Sequence, residues 1–249
     1  MKFLKYALCI VNIAYAAQEH AALSLYKETD HFKIYCTDVD CAVADNILDE
    51  AEVFFEQLTS DFNHKFEGSK ILFNIYPDLV SFHKAIAWDA APDWVVAFHD
   101  KNSTTMCSPL NPGPHHSYAS LMKSSKNGLV QFFIHDTFKG QTIPRWLYQG
   151  VTLYKTNYYS DQSINELFYE DGSLPLFEQL ENVEDTLAFD KLNGFSASFW
   201  MVRFLNERWG WNTILGLLEN YSNFEAILGI TKKEFGEHWI EFIKNKKEK

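Results

Sequence analysis

Four polar residues between positions 135 and 149 have the types and spacing of a hydrolytic metal site in altered form. His135 and Lys139 are four residues apart, so a helix would bring their side chains to one face, with Asp136 on the adjoining side. Gln149 follows ten residues after Lys139. In zinc hydrolases two histidines at the first spacing and a distal carboxylate hold the metal, while a neighbouring carboxylate takes a proton from the bound water. The four positions therefore predict the outline of such a site.

Sequence words around these residues and near the C-terminus carry a family resemblance. HDTFK spans 135–139, PRWLYQG spans 144–150, and the later words are GFSASFWMVRFLNERWG and GITKKEFGEHWIEFI. The chain resembles the gluzincin-type, MA-clan (peptidase MA-like) zinc metallopeptidases, in which one helix bears H-E-x-x-H and the next bears W-[LF]-x-E-G. The resemblance runs from about residue 28 to residue 245. It implies that His135 and Gln149 face one another across two neighbouring helices.

The chain departs from the family where zinc chemistry is carried. Lys139 stands at the second histidine ligand, and an ammonium has no lone pair to give a metal. Gln149 puts a neutral amide at the third ligand, and Asp136 holds the general-base position with a shorter side chain. Phe195 stands where many relatives carry a tyrosine. The resemblance therefore implies a pseudoenzyme, a pseudo-peptidase for which no cofactor is expected.

The former cleft is expected to remain as a surface for a peptide or protein ligand, walled by Trp146, Tyr148 and Phe195. The alternative function is a working metallopeptidase or hydrolase with a noncanonical zinc site built around His135 and Asp136. Each residue alone also has a simpler explanation, because a single histidine is more often a core residue and a helical tryptophan more often packs.

Lys139 has two possible roles. Beside Asp136 and the Gln149 amide, its ammonium is expected to replace the metal as an internal cation joining the two helices. Asp136→Glu, Lys139→His and Gln149→Glu together are then expected to create a zinc site. The alternative is a surface ion pair between Asp136 and Lys139, which would be worth only a few tenths of a kcal/mol.

The elements around this site predict an α+β fold. Alternating apolar residues predict strands and helical spacing predicts helices. Strands are expected over 31–36, 70–76, 94–98 and 104–108, helices over 43–62 and 78–86, and mostly helix from Gly128 onward. The short mixed sheet is expected to pack on the active-site-type helices, followed by an all-helical lobe.

The first residues have the three parts of an export signal. A basic start, an apolar run and Ala14-Tyr15-Ala16 occur in the order of a signal peptide, so residues 1–16 are expected to be removed in a periplasmic or secreted protein. The remainder, 17–249, is expected to form one peptidase MA-like domain. Its parts are a β-rich part (17–126), the degenerate metal-site helices (127–160) and a helical lobe (161–249).

Cysteine spacing predicts one local disulfide. Cys36 and Cys41 are separated by four residues and are expected to pair in an oxidising compartment, while Cys107 stays reduced and buried. The alternative is that all three are buried free thiols.

Charge and hydropathy exclude two classes of partner. The formal net charge is -11, and arginine occurs only at 145, 203 and 208, so no nucleic acid is expected. The N-terminal apolar run is too short to span a bilayer, so no membrane span is expected.

Other histidines offer a remote alternative metal set. His115 or His116 would have to join His135 and Asp136, which requires a sharp turn in the NPGPHH loop. His64 and His83 are expected to be solvated.

Overall fold

The N-terminal half of the chain builds one five-stranded mixed sheet. The computed structural model describes residues 23–66, 68–100 and 102–248. The strands β1 to β5 are, in chain order, Ser24–Glu28, Phe32–Cys36, Ile71–Tyr76, Ala97–Asp100 and Ser103–Cys107. Their order across the sheet is β1-β2-β3-β5-β4, with the central three parallel and both edge strands antiparallel to their neighbours. Helices follow the sheet, and the predicted α+β fold is confirmed.

The alternation in β2 and β3 gives the sheet one fully buried face. Every second residue is buried and the residues between them are half-buried, as a sheet covered mainly on one side requires. The buried set points toward the helices and consists of Phe32, Ile34, Cys36, Ile71, Phe73 and Ile75.

Two strands differ from the sequence prediction. The strand expected over 94–98 is wrong by about three residues, because a turn in which Val95 N donates to Pro92 O holds the apolar run outside the sheet. Pairing with β5 begins only at Ala97, opposite Met106. β1 was not predicted at all, because all five of its residues are exposed and show no alternation.

Four helices accompany the sheet and the candidate site. They are α1, α2, α3 and α4, with bounds Cys41–Asp61, Leu79–Ala85, Tyr118–Thr137 and Arg145–Lys155. α3 begins ten residues before the helical region expected from Gly128, inside the part expected to be β-rich. Its start is fixed by a capping box in which Ser117 Oγ accepts from Ser120 N and Ser120 Oγ accepts from Ser117 N.

The C-terminal part of the described chain is helical. Helices α5 to α10 are Phe177–Glu181, Thr186–Lys191, Gly194–Trp209, Trp211–Glu219, Phe224–Leu228 and Lys232–Lys247. Two 3₁₀ segments, Asp161–Leu167 and Tyr221–Asn223, connect them. α4 lies directly against α7, so this lobe positions the helix that carries Gln149.

The buried apolar side chains of the sheet and of the helical lobe belong to one continuous core cluster. Within residues 23–248, excepting 67 and 101, no helix is both long and apolar enough to cross a bilayer. The expected signal peptide, residues 1–16, lies outside the described residues.

Candidate functional site

α3 and α4 form an antiparallel pair, and two features fix their alignment. Lys123 near the start of α3 donates to the carbonyls of Asn157 and Tyr158 just beyond α4, at 2.7 and 3.2 Å. At the other end, α3 stops at Thr137 and α4 starts at Arg145. Residue 149 lies eight residues before Asn157, which corresponds to residue 131, eight residues after Lys123. It also lies four residues after Arg145, which corresponds to residue 133, four residues before Thr137. Residue 149 is therefore level with residues 131 to 133 of α3.

One stripe of α3 is buried along its middle and exposed at its end. Gly128, Phe132, His135 and Lys139 follow one another at spacings of four, three and four residues, which keeps them on one side of a helix. Gly128 and Phe132 are buried, whereas His135 and Lys139 are exposed. Phe132 is therefore the stripe residue at the level of Gln149, with Gly128 about one turn before it and His135 about one turn after it. Gly128 packs against the sheet, since a Cβ there would lie 2.1 Å from Thr104 Oγ1 and 2.6 Å from His99 Nδ1.

That His135 and Gln149 face one another across the two helices stays a prediction. His135 is exposed, and no hydrogen bond joins the two side chains in the described part of the chain. The alternative of a core histidine is wrong at this position, because the residue is exposed. Gln149 is half-buried.

Asp136 is held by the Lys139 ammonium and the His64 imidazole. One carboxylate oxygen lies 2.5 Å from Lys139 Nζ and the other lies 2.8 Å from His64 Nε2. The Asp136 side chain is only 16% exposed, and this burial by itself would raise its pKa. The hydrogen bonds from Lys139 and His64 outweigh burial and hold the pKa of Asp136 below its ordinary value.

Lys139 forms the surface ion pair rather than the internal cation. Its side chain is 68% exposed, and its ion-pair partner is Asp136 in the last turn of α3, just before Lys139. No contact between Lys139 and the Gln149 amide is found among the described residues, so this ammonium does not join α3 to α4.

His64 is the site residue that sequence reasoning missed, since it was expected to be solvated. α1 ends at Asp61, and Asn63 takes a left-handed conformation that lets His64 N donate back to Thr59 O. This turn carries the His64 ring to Asp136, 72 residues further along the chain. His83 was also expected to be solvated, but it is buried and its Nε2 lies 2.9 Å from Val95 O.

The three expected cleft residues are mostly packed. Trp146 is fully buried in the helical lobe, where Nε1 donates to Tyr221 OH at 3.2 Å, so the packing alternative describes it. Tyr148 is half-buried, and desolvation raises its pKa to about 12. Phe195 of α7 has its ring centroid 6.2 Å from that of Trp94, ahead of β4, in an edge-on contact between the two halves of the chain.

The remaining histidines His99, His115 and His116 have separate surroundings and do not form one cluster. His99 on β4 has its Nδ1 3.1 Å from Thr104 Oγ1, and desolvation of its ring against α3 lowers its pKa to about 4. His116 Nε2 lies 2.9 Å from Trp94 O, and His115 is exposed. Among the described residues no three histidine, cysteine or acidic side chains are grouped so as to hold a metal ion.

An open depression of about 350 Å³ lies beside the end of α3. It is formed where the ends of α1 and α3 meet α8, and it combines aromatic walls with one cation and one anion. The lining residues are Phe62, Asn63, Thr137, Phe138, Lys139, Gln141, Leu215 and Glu219.

The cysteine pair expected to form a disulfide is close in space. Cys36 Sγ and Cys41 Sγ are 3.1 Å apart as free thiols, and the pairing stays a prediction. Cys107 is buried and its thiol donates to Asn111 O at 3.1 Å.

No family model matches this chain. No curated protein matches it either.

Proposed function

We propose that the protein is an exported pseudo-peptidase, related in fold to gluzincin metallopeptidases, that binds a peptide or protein without hydrolysing it. The observation that carries this proposal is the ion pair between Lys139 Nζ and Asp136, 2.5 Å apart, at the second-ligand and general-base positions of the resemblance. An ammonium has no lone pair to give a metal, and the neutral amide of Gln149 is a poorer partner for zinc than a carboxylate.

The charged residues at the end of α3 also disfavour hydrolysis. Asp136 is the one carboxylate in the HDTFK word, and its two oxygens are occupied by Lys139 and His64. A carboxylate whose pKa is lowered in this way binds a proton more weakly and is a poorer general base near neutral pH.

A binding role is supported by the depression beside Lys139. It offers aromatic surface from Phe62 and Phe138 next to the mostly exposed Lys139 ammonium. Apolar walls with a few charged groups are typical of surfaces that bind peptide side chains.

The decisive experiment measures metal binding and peptide cleavage together. Purified protein is equilibrated with zinc, freed of unbound metal, analysed by mass spectrometry of the elements, and incubated with a mixed peptide library with and without chelator. We expect far less than one zinc per chain and no chelator-sensitive cleavage. One tightly held zinc per chain with chelator-sensitive cleavage would overturn the proposal.

A second candidate is a hydrolase that uses the His64–Asp136 pair. A carboxylate 2.8 Å from an imidazole orients that ring as a general base, and the His64 side chain is 30% exposed. Hydrolysis of a peptide or ester by the wild type that His64→Gln abolishes, and His115→Gln preserves, would favour this candidate. The pseudo-peptidase proposal expects no hydrolysis by any of the three proteins.

A further inference from the structure

Two thiols meet where the second strand joins the first helix. Cys36 is the last residue of β2 and Cys41 is the first residue of α1, and their sulfur atoms are 3.1 Å apart. The turn between them is held by Thr37 Oγ1, which donates to Asp40 Oδ2 at 2.5 Å. The sulfur atoms therefore approach one another in the folded chain without any rearrangement of the flanking elements.

The three described cysteines differ in their exposure to solvent. Cys36 and Cys107 are fully buried, whereas Cys41 is only partly buried at the surface end of α1. Cys41 Sγ lies 3.3 Å from Thr37 O. A reagent from solution can therefore reach Cys41 and not its partner.

We propose that Cys36 and Cys41 form a redox site that a low-molecular-weight disulfide, such as oxidised glutathione, oxidises by entering at Cys41. Cys41 first loses its proton to solvent, and its thiolate attacks one sulfur of the reagent. The reagent's sulfur–sulfur bond breaks, a mixed disulfide forms on Cys41, and one reagent thiolate leaves.

The second step closes the ring between the two cysteines. Cys36 loses its proton and attacks Cys41 Sγ, which breaks the mixed disulfide and releases the second reagent thiolate. Two electrons have passed from the two protein thiols to the reagent, which leaves as two thiols. Excess thiol reverses both steps, so the site is reversible.

The environment of Cys36 makes ring closure slower than formation of the mixed disulfide on Cys41. Burial, reinforced by the neighbouring Cys41, Asp40 and Asp38, raises the pKa of Cys36 to about 12. Its thiolate is therefore scarce near neutral pH, and ring closure is the slow step. The mixed disulfide on Cys41 accumulates first, and closure accelerates as pH rises.

The test is a time course of oxidation on purified protein. Oxidised glutathione is added at several pH values, samples are quenched in acid and alkylated, and every cysteine is mapped by peptide mass spectrometry. We expect one glutathionyl group on Cys41, followed by a Cys36–Cys41 crosslink lighter by two hydrogen atoms, with Cys107 alkylated throughout. The conversion of adduct to crosslink should become roughly 100-fold faster from pH 7 to pH 9, because the thiolate fraction of Cys36, with a pKa of about 12, rises about tenfold per pH unit.

Three variants separate the roles of the thiols. Cys36→Ser should stop at the Cys41 adduct, Cys41→Ser should leave Cys36 unmodified, and Cys107→Ser should behave as the wild type. The proposal is overturned by Cys36 and Cys41 both remaining free at equilibrium with the oxidant, or by glutathionylation of Cys107 before Cys41. The wild-type time course gives a decision even where a variant does not fold.

Discussion

Gly150 of α4 lies against the backbone carbonyl of Ser198 in α7. A Cβ at position 150 would be 2.4 Å from Ser198 O and 2.6 Å from Val202 Cγ2, which is far inside van der Waals contact. The glycine of the PRWLYQG word therefore serves close packing of the two helices, and this packing fixes the position of Gln149.

Gly150→Ala should destabilise the fold. The obstacle is backbone rather than a flexible side chain, so α4 and α7 must separate, at a cost of about 1–3 kcal/mol in the free energy of unfolding. Gly216→Ala in α8 is the matched control, because a Cβ there meets no atom within 4 Å. It should be neutral or stabilising by up to about 1 kcal/mol. Urea unfolding of both variants measures the difference, and equal stabilities would contradict the close approach.

His99 should make stability fall in mild acid. Its pKa is lowered from 6.5 to about 4 in the folded protein. Between pH 6.5 and pH 4 the ring is therefore protonated in the unfolded chain and neutral in the folded chain, which favours unfolding. We expect the free energy of unfolding to decrease by about 2 kcal/mol between these pH values through this ring. His99→Gln should flatten the pH dependence measured by urea unfolding, while the exposed His115→Gln should retain it. Burial also lowers the pKa of His116, so some slope remains in the variant.

Asp136 should stabilise the fold only when ionised. Its folded pKa is lowered from 3.8, so its contribution is present above pH 3.8 and is lost as the pH falls through the folded value. Asp136→Asn should lower the free energy of unfolding by about 1 kcal/mol at pH 7, discounted for the exposed side of the pair. The difference from the wild type should shrink in acid. Asp89→Asn, at an exposed position, is the control; a pH-independent effect of Asp136→Asn would argue against the ion pairs.

Restoring the family letters in the HDTFK and PRWLYQG words should not restore zinc binding. Asp136→Glu, Lys139→His and Gln149→Glu together give histidines at the exposed end of α3, one about one turn and the other about two turns beyond the level of residue 149. The sequence alone predicts the opposite result. Elemental analysis of the folded triple variant after dialysis with zinc should find no stoichiometric metal. One zinc per chain would mean that the end of α3 reaches Gln149.

The regular elements were predictable because their patterns are local. The alternation of HFKIYC and the helical spacing of 43–62 depend on neighbours within a few residues, and both elements are present. β1 was missed because an exposed edge strand has no apolar alternation, and the early start of α3 was missed because its first turns are rich in serine.

The ion pair of the site was predictable, whereas the alignment of α3 with α4 was not. Asp136 and Lys139 are three residues apart, so their pairing could be expected from the sequence. The alignment depends on the bonds of Lys123 to the carbonyls after α4, which join residues more than thirty positions apart. His64 could not be inferred at all, because nothing in the sequence links it to a carboxylate 72 residues away.

Among the described residues, one continuous cluster of buried apolar side chains joins the sheet to α10. Neither half can lose its packing while the other keeps its own, so heating should melt sheet and helical lobe in a single cooperative transition. A chain cut between α2 and α3 would expose apolar faces on both fragments. The chain is therefore expected to fold as one unit, with its sheet complete only when the C-terminal helices are present.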